Sequence, residues 1–267
     1  MKIAFIQTSP LFGDKETNFR DVLDLVGRLK ADLLILPELF ASGYTFTSKE
    51  EASELAEYPG EKTTQFLQLV SKRTGGAVVG GFIEKRDGII YNSAMMVDGT
   101  QLVGVYRKIH LFNKEKLWFT AGTVLPQVYN LRGVSIGMMI CFDWIFPEVT
   151  RYMAIKGAQI IAHPSNLVLP HCQAAMVTRC IENRVFSITA NRIGTEKRGD
   201  DSFTFTGMSQ ITAINGEILS SGPKDRTYVG IAEIDPSTAL NKKINPYNDL
   251  LADRKISGTT FISGTED

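Results

Sequence analysis

The sequence predicts an α/β protein built of packed layers, and three observations carry that expectation. Short apolar, β-branched runs recur along the chain, stretches with helical spacing separate several of them, and tight-turn dipeptides join others. The runs fall at 2–7, 32–37, 77–84, 89–97, 101–106, 134–140, 159–162, 186–190, 209–214 and 228–234. Their lengths, and the Gly, Asn and Pro residues that bound them, suit strands. Helical spacing appears at 16–31, where Val22, Leu23, Leu25, Val26 and Leu29 share one side, and at 63–74, where Phe66, Leu67 and Val70 do. Two more such stretches lie at 146–156 and 173–184. This alternation argues for helices packed on sheet faces. Asp98-Gly99 and Asn215-Gly216 read as hairpin turns, so the sheets should be mixed rather than wholly parallel.

No Pro/Gly/Ser-rich linker, internal repeat or low-complexity tract breaks the pattern, so residues 1–267 read as one domain. From about residue 239 the chain turns more polar and carries Asn245-Pro246, which places this extension on the surface or at a subunit contact.

Composition narrows the function. With 43% hydrophobic and 22% charged residues, the chain can bury a large core without disulfide staples. Twenty-nine basic residues balance twenty-nine acidic ones, which leaves no electrostatic case for nucleic acid or an anionic membrane. A small-molecule partner fits better. The first residues, MKIAFIQTSP, carry one lysine and a brief apolar run, too weak for a signal peptide, and no run approaches the roughly 20 apolar residues of a membrane span. Three cysteines, Cys141, Cys172 and Cys180, read as reduced thiols in a cytoplasm.

The chemistry concentrates at three strand ends. In GVSIGMMICFDWIFPE, Cys141 closes an apolar run that leads straight into a helix, with Pro147 suited to the first helical turn. Glu38 closes DLLILPE, and Lys108 follows TQLVGVYR. Taken singly, each has a duller account: a small buried hydrophobe, a loop carboxylate, a solvated ammonium. Taken together they supply a nucleophile, a base and a positive charge for an oxyanion, which acyl transfer from a carbon–nitrogen bond requires. An ammonium and the amides of the turn after Cys141 would favour the thiolate. Open α/β sheets build their sites at such strand ends.

LILPELFASGY around Glu38, YRKIHLF around Lys108 and MMICFDWIFPE around Cys141 resemble the three signature segments of the carbon–nitrogen hydrolase, or nitrilase, superfamily, in its order. RCIENRVFSITANRIG and NPYNDLLADRK extend the likeness over nearly the whole chain. The resemblance implies a four-layer αββα sandwich with two mixed sheets, paired into a homodimer, with Glu38, Lys108 and Cys141 as catalytic triad and no cofactor. It also implies that Glu115, between Lys114 and Lys116, is the second glutamate that holds the lysine and the substrate amide or assists proton transfer. Without the family pattern Glu115 would read as an exposed loop charge.

The expected reaction is hydrolysis of a small amide through a Cys141 thioester, with Phe142 donating its backbone amide to the oxyanion. Tyr44, Trp118, Phe119, Phe142, Trp144 and Phe146 lie near the triad in sequence and are candidates for the pocket wall, with core packing as the competing account. No arginine beside the catalytic motifs announces a substrate carboxylate clamp; Arg179 and Arg192 stay open for that role. A nitrile substrate shares the same triad and stays open as an alternative, as does a catalytically silent binding subunit. A thiol redox role would want a resolving cysteine nearer in sequence than Cys172 or Cys180. The spacing of His163, His171 and Cys172 matches no metal motif, and G-x-S-x-G, GKS and GxGxxG elements are absent.

Overall fold

The computed structural model describes residues 1–255. In chain order the elements are β1 (Lys2–Gln7), α1 (Lys15–Val26), β2 (Leu33–Ile35), α2 (Lys49–Glu54), α3 (Lys62–Thr74), β3 (Ala77–Arg86), β4 (Ile89–Asp98), β5 (Gln101–Arg107) and α4 (Glu115–Trp118). Then come β6 (Val128–Leu131), β7 (Val134–Met138), a 3-10 turn at Cys141–Ile145, α5 (Pro147–Ile155), β8 (Ile160–Pro164), α6 (Cys172–Asn183) and β9 (Phe186–Ala190). A hairpin of β10 (Thr195–Arg198) and β11 (Asp201–Thr204) precedes β12 (Gln210–Thr212), β13 (Ile218–Ser221) and β14 (Tyr228–Glu233).

The strands form two six-stranded mixed sheets, ordered β14-β1-β2-β3-β4-β5 and β13-β12-β9-β8-β7-β6. Each has a parallel centre, β1-β2-β3 in one and β7-β8-β9 in the other, flanked by antiparallel strands. Strand alternation sorts the side chains into layers. Ile3, Phe5, Leu33, Ile35 and Val79 point between the sheets and meet Ile136, Met138, Ile160 and Ile188. Their neighbours Ala4, Ile6, Leu34, Leu36 and Val78 point the other way, onto Phe19, Val22, Phe66, Leu67 and Val70 of α1 and α3. On the far sheet, Val149 and Met153 of α5 and Met176 of α6 close the fourth layer. The result is the αββα sandwich.

Several elements differ from the sequence expectation for local reasons. The first helix stops at Val26 rather than residue 31, because Gly27 takes a positive φ of 45° and donates its N–H back to Leu23. The apolar run at 32–37 yields only three strand residues before Pro37 turns the chain out. α2, with the sequence KEEASE, buries only Ala52, so it carries no apolar stripe to be read. β6, the β10–β11 hairpin and β13 are short, partly polar edge strands. The Asn215-Gly216 turn does join β12 to β13, with Gly216 N–H donating to the Ala213 carbonyl.

After β14 the chain runs over the surface. Lys242 Nζ fastens it by donating to the carbonyls of Asn183 (2.9 Å) and Arg184 (2.8 Å) at the end of α6. Tyr247 is 92% exposed, so this stretch buries little of itself. The remainder of the extension, beyond Lys255, lies outside the described residues.

Candidate active site

Glu38 lies just past the parallel strand β2, and Cys141 just past β7 of the opposing sheet. The loop holding Glu38 crosses β3 at Gly81, where a Cβ would stand only 2.6 Å from the Glu38 Cα, so only glycine permits the crossing. Lys108 follows β5 directly, anchored by its own N–H to the Asn92 carbonyl of β4 at 2.9 Å. Cys141 itself takes φ 41°, a left-handed conformation rare for a residue with a side chain, and so sits at a sharp elbow.

These residues converge in the interior. Glu38 and Lys108 have no exposed surface, and Cys141 and Glu115 have almost none. Lys108 Nζ donates to Glu38 Oε1 and to Glu115 Oε1, each at 2.8 Å. Glu38 Oε1 also accepts from Asn92 Nδ2 at 2.6 Å, whereas its Oε2 is buried without a partner. Glu115 Oε1 accepts from the Tyr44 hydroxyl at 2.6 Å, and its Oε2 from the Phe112 N–H at 3.2 Å. The Cys141 thiol points toward the Asn166 carbonyl at 3.7 Å.

Burial and pairing set the charges. Burial, reinforced by the Glu38 carboxylate, pushes the Cys141 thiol well above its ordinary pKa, and Lys108 only partly opposes this. The resting group is a thiol. Burial works against the Lys108 charge, but Glu115 and Glu38 outweigh it and hold the ammonium above its usual value. Burial and the neighbouring Glu38 raise Glu115 against the pull of Lys108. Tyr44, raised first by burial and then by Glu115, remains a phenol and hence a donor.

A recess of about 10 Å³ opens onto the thiol, lined by Phe112, Phe142, Trp144, Asn166, Leu167 and their neighbours. Phe142 and Trp144 therefore lie beside the thiol. Tyr44 and Trp118 line a separate small recess around Glu115, where the Tyr44 hydroxyl donates to Glu115. Phe119 packs edge-on against Phe46 in a satellite core, and Phe146 stacks on His110 at 3.7 Å. Neither faces the thiol recess. The two arginines considered as clamps are engaged elsewhere: Arg179 pairs with Glu182 along α6, and buried Arg192 with Glu196 at 3.0 Å. A larger cavity of about 450 Å³ lies along β5 and β6 around Arg107 and Tyr129, away from Cys141.

The sequence did not single out Asn92, Asn166 or Asp143. Asn166 is buried with both side-chain polar atoms unpartnered. Asp143 accepts from the Tyr106 hydroxyl (2.8 Å), the Ile140 N–H (2.9 Å) and lies 2.8 Å from His110 Nδ1. An asparagine inside a strand such as YNSAMM carries no pattern of its own, so only its partner across the fold gives it meaning. Among the described residues, no cluster of His, Cys, Asp and Glu is arranged to hold a metal ion. His163, His171 and Cys172 do not meet: His163 bonds Cys141 and Thr189, while His171 is exposed at the start of α6 and Cys172 is buried.

Two facing mixed sheets between helix layers, with an acid, an amine and a thiol brought together past the ends of β2, β5 and β7, define a hydrolase of the nitrilase type. The chain belongs to the carbon–nitrogen hydrolase family, whose profile matches residues 2–242. It is 42% identical to a nitrilase of Pyrococcus abyssi over 96% of this chain and 97% of that one. Identity to an (R)-stereoselective amidase of a Pseudomonas species is 30%, over 96% and 92% of the two chains. Among solved structures, a carbon–nitrogen hydrolase from Helicobacter pylori superposes with a TM-score of 0.81 at 24% identity, covering 90% of each chain. An amidase from a Nesterenkonia species gives 0.78 at 24% identity, over 96% and 93%. Among the described residues no helix is long and apolar enough to cross a membrane.

Proposed function

We propose that this enzyme hydrolyses a small primary amide to a carboxylic acid and ammonia through a thioester on Cys141. The observation that carries the reading is the asymmetric use of Glu38. Its Oε1 is held by Lys108 and Asn92, and its buried Oε2 is left to take a proton. Glu38 accepts the Cys141 thiol proton as the sulfur attacks the carbonyl carbon. Lys108 spends two N–H donors on Glu38 and Glu115, so its third is free for the oxyanion, beside the Phe142 backbone N–H. The proton then passes to the leaving ammonia. A water deprotonated by Glu38 hydrolyses the thioester and restores the thiol.

The narrow, apolar recess suits a small acyl group, and the unpartnered amide of Asn166 suits a substrate carrying its own N–H and C=O. The likeness to the Pseudomonas amidase supports the same side. A nitrile substrate is the second reading, favoured by the likeness to the Pyrococcus nitrilase. The protein reads further as one domain with no cofactor, in a cytoplasm that keeps its three free cysteines reduced. We propose further that it pairs with a second copy, as the family resemblance implies.

Ammonia release from matched amides and nitriles, with intact-mass trapping of the acyl adduct, tests the reading. Acylation at Cys141 by amides, lost in Cys141→Ala, is the expected result. Ammonia from nitriles alone would transfer the enzyme to the second reading, and full activity in Cys141→Ala would remove the cysteine from the chemistry.

A further inference from the structure

His163 is the one group of the three weighed for metal binding that reaches the site. Its Nε2 lies 3.0 Å from the Cys141 carbonyl oxygen, and its Nδ1 lies 3.0 Å from the Thr189 hydroxyl, its register partner on the adjacent parallel strand. A carbonyl oxygen only accepts, so Nε2 carries the hydrogen. The Thr189 hydroxyl must then donate to Nδ1, which fixes that tautomer. Both side chains are fully buried, and burial lowers His163 to about 4, so the ring stays neutral in this role at ordinary pH.

The consequence follows from peptide geometry. The Cys141 carbonyl and the Phe142 N–H belong to one planar trans unit and point in opposite directions. Whatever fixes the carbonyl therefore aims the N–H. A hydrogen bond to the carbonyl also polarises the peptide and strengthens its N–H as a donor. The elbow needs such a hold, since the left-handed φ of 41° at Cys141 is unfavourable for a residue with a Cβ.

We propose that His163 is a positioning residue that aims and strengthens the Phe142 N–H as oxyanion donor by holding the Cys141 carbonyl at the other end of the same peptide plane. The inference rests on the reading of Cys141 and Phe142 given under Proposed function. It gives the buried His163–Thr189 pair a task in the transition state rather than in packing alone.

The test separates oxyanion stabilisation from thiol reactivity. Iodomethane methylates Cys141 by displacement of iodide, has no carbonyl and forms no oxyanion. Propionaldehyde adds the sulfur to its carbonyl carbon, with the thiol proton ending on the former carbonyl oxygen, and so draws on the oxyanion donors. The measurement is protection of Cys141 from iodomethane by propionaldehyde, read by peptide mass, in wild type, His163→Leu, His163→Asn and His163→Gln. Leu has no donor, Asn is too short to reach the carbonyl, and Gln places an N–H near the Nε2 position. A whole oxyanion donor is typically worth on the order of 100-fold or more, so a misdirected one should weaken protection by roughly tenfold in the Leu and Asn variants. Alkylation without aldehyde should stay near wild type, Gln should recover most of the protection, and amide turnover should lose kcat with little change in KM. Unchanged protection in the Leu and Asn variants, alkylation falling in parallel with protection, or Gln no better than Asn would each overturn the proposal. Where leucine prevents folding, the Asn and Gln pair decides. Absence of amide hydrolysis by the wild type would sink the amidase reading alone, because aldehyde protection still reports the donor.

Discussion

Asn92 Nδ2 donates to Glu38 Oε1 at 2.6 Å, while the Asn92 backbone carbonyl receives the N–H of Lys108 at 2.9 Å. One strand residue thus sets the position of both members of the buried ion pair. Replacing it with Leu removes the side-chain bond and frees the Glu38 carboxylate to rotate. Hydrogen bonds to charged groups contribute about 1.5–3 kcal/mol, so kcat/KM for an amide should fall roughly 10- to 100-fold. Asn92→Asp should be worse, because it sets a second carboxylate against Glu38 with no further cation. Steady-state kinetics of both variants checks the order; Asp matching or exceeding wild type would show that Asn92 does not orient Glu38.

Lys108 is the shared cation of two buried carboxylates. Lys108→Met should abolish turnover and also unfold more easily, since breaking a buried ion pair by removing one partner costs about 3–5 kcal/mol. The cost comes from the buried carboxylates left behind, and since burial already raises Glu115, its share should shrink as the pH falls and Glu115 protonates. Adding Glu115→Gln should recover part of the stability without recovering activity. Urea unfolding of the single and double variants at neutral and acidic pH measures this. A Lys108→Met protein as stable as wild type at pH 7 would contradict the pairing.

Much of the fold was legible because burial wrote itself into periodicity. β1 is found at the predicted residues, since Ile3, Phe5 and their alternating neighbours Ala4 and Ile6 are buried on both faces and give an unbroken apolar run. The β10–β11 hairpin, TEKRGDDSFT, shows no such run because half of it faces water. Yet Glu196 on β10 accepts from the Tyr44 N–H at 3.0 Å, and Lys114 reaches Asp201 on β11 at 2.7 Å, so a polar hairpin braces the loops that carry Tyr44 and Glu115. Glu38, Lys108 and Cys141 were readable as chemistry out of place at the ends of buried strands. Asn92, Asn166 and His163 were not, because their meaning lies in what they face across the fold rather than in their neighbours along the chain.

Tyr44 and Glu115 form the outer half of the same network. Tyr44→Phe removes one donor from a buried carboxylate that still keeps Lys108 and the Phe112 N–H. Amide turnover should fall about tenfold, by the same allowance of about 1.5 kcal/mol for a bond to a charged group. Glu115→Gln should cost more, because it also releases Lys108 from one side. If Tyr44→Phe and Glu115→Gln combine additively rather than overlapping, the two do not act as one unit.

Asn166 offers two unsatisfied amide atoms beside the thiol recess. On the proposed amide reading a substrate amide would satisfy them, whereas a nitrile has no N–H to offer. Asn166→Leu should therefore reduce kcat/KM for an amide by at least about tenfold while changing that for the matched nitrile less, as expected of a site built around a polar partner. Equal losses for the two substrates would remove Asn166 from recognition.

His163 also makes stability depend on pH. Burial lowers it from 6.5 to about 4, so between those values the unfolded chain binds a proton that the folded chain refuses. Its depressed pKa therefore leaves stability intact above about pH 6.5 and withdraws it as the pH falls toward 4, by about 3 kcal/mol in all. His163→Gln carries no proton in either state and should lose less stability over this interval. Chemical denaturation at pH 7 and pH 4.5 compares the two proteins directly. Parallel losses in wild type and His163→Gln would mean that the acid sensitivity arises at other groups, and that His163 titrates alike in both states.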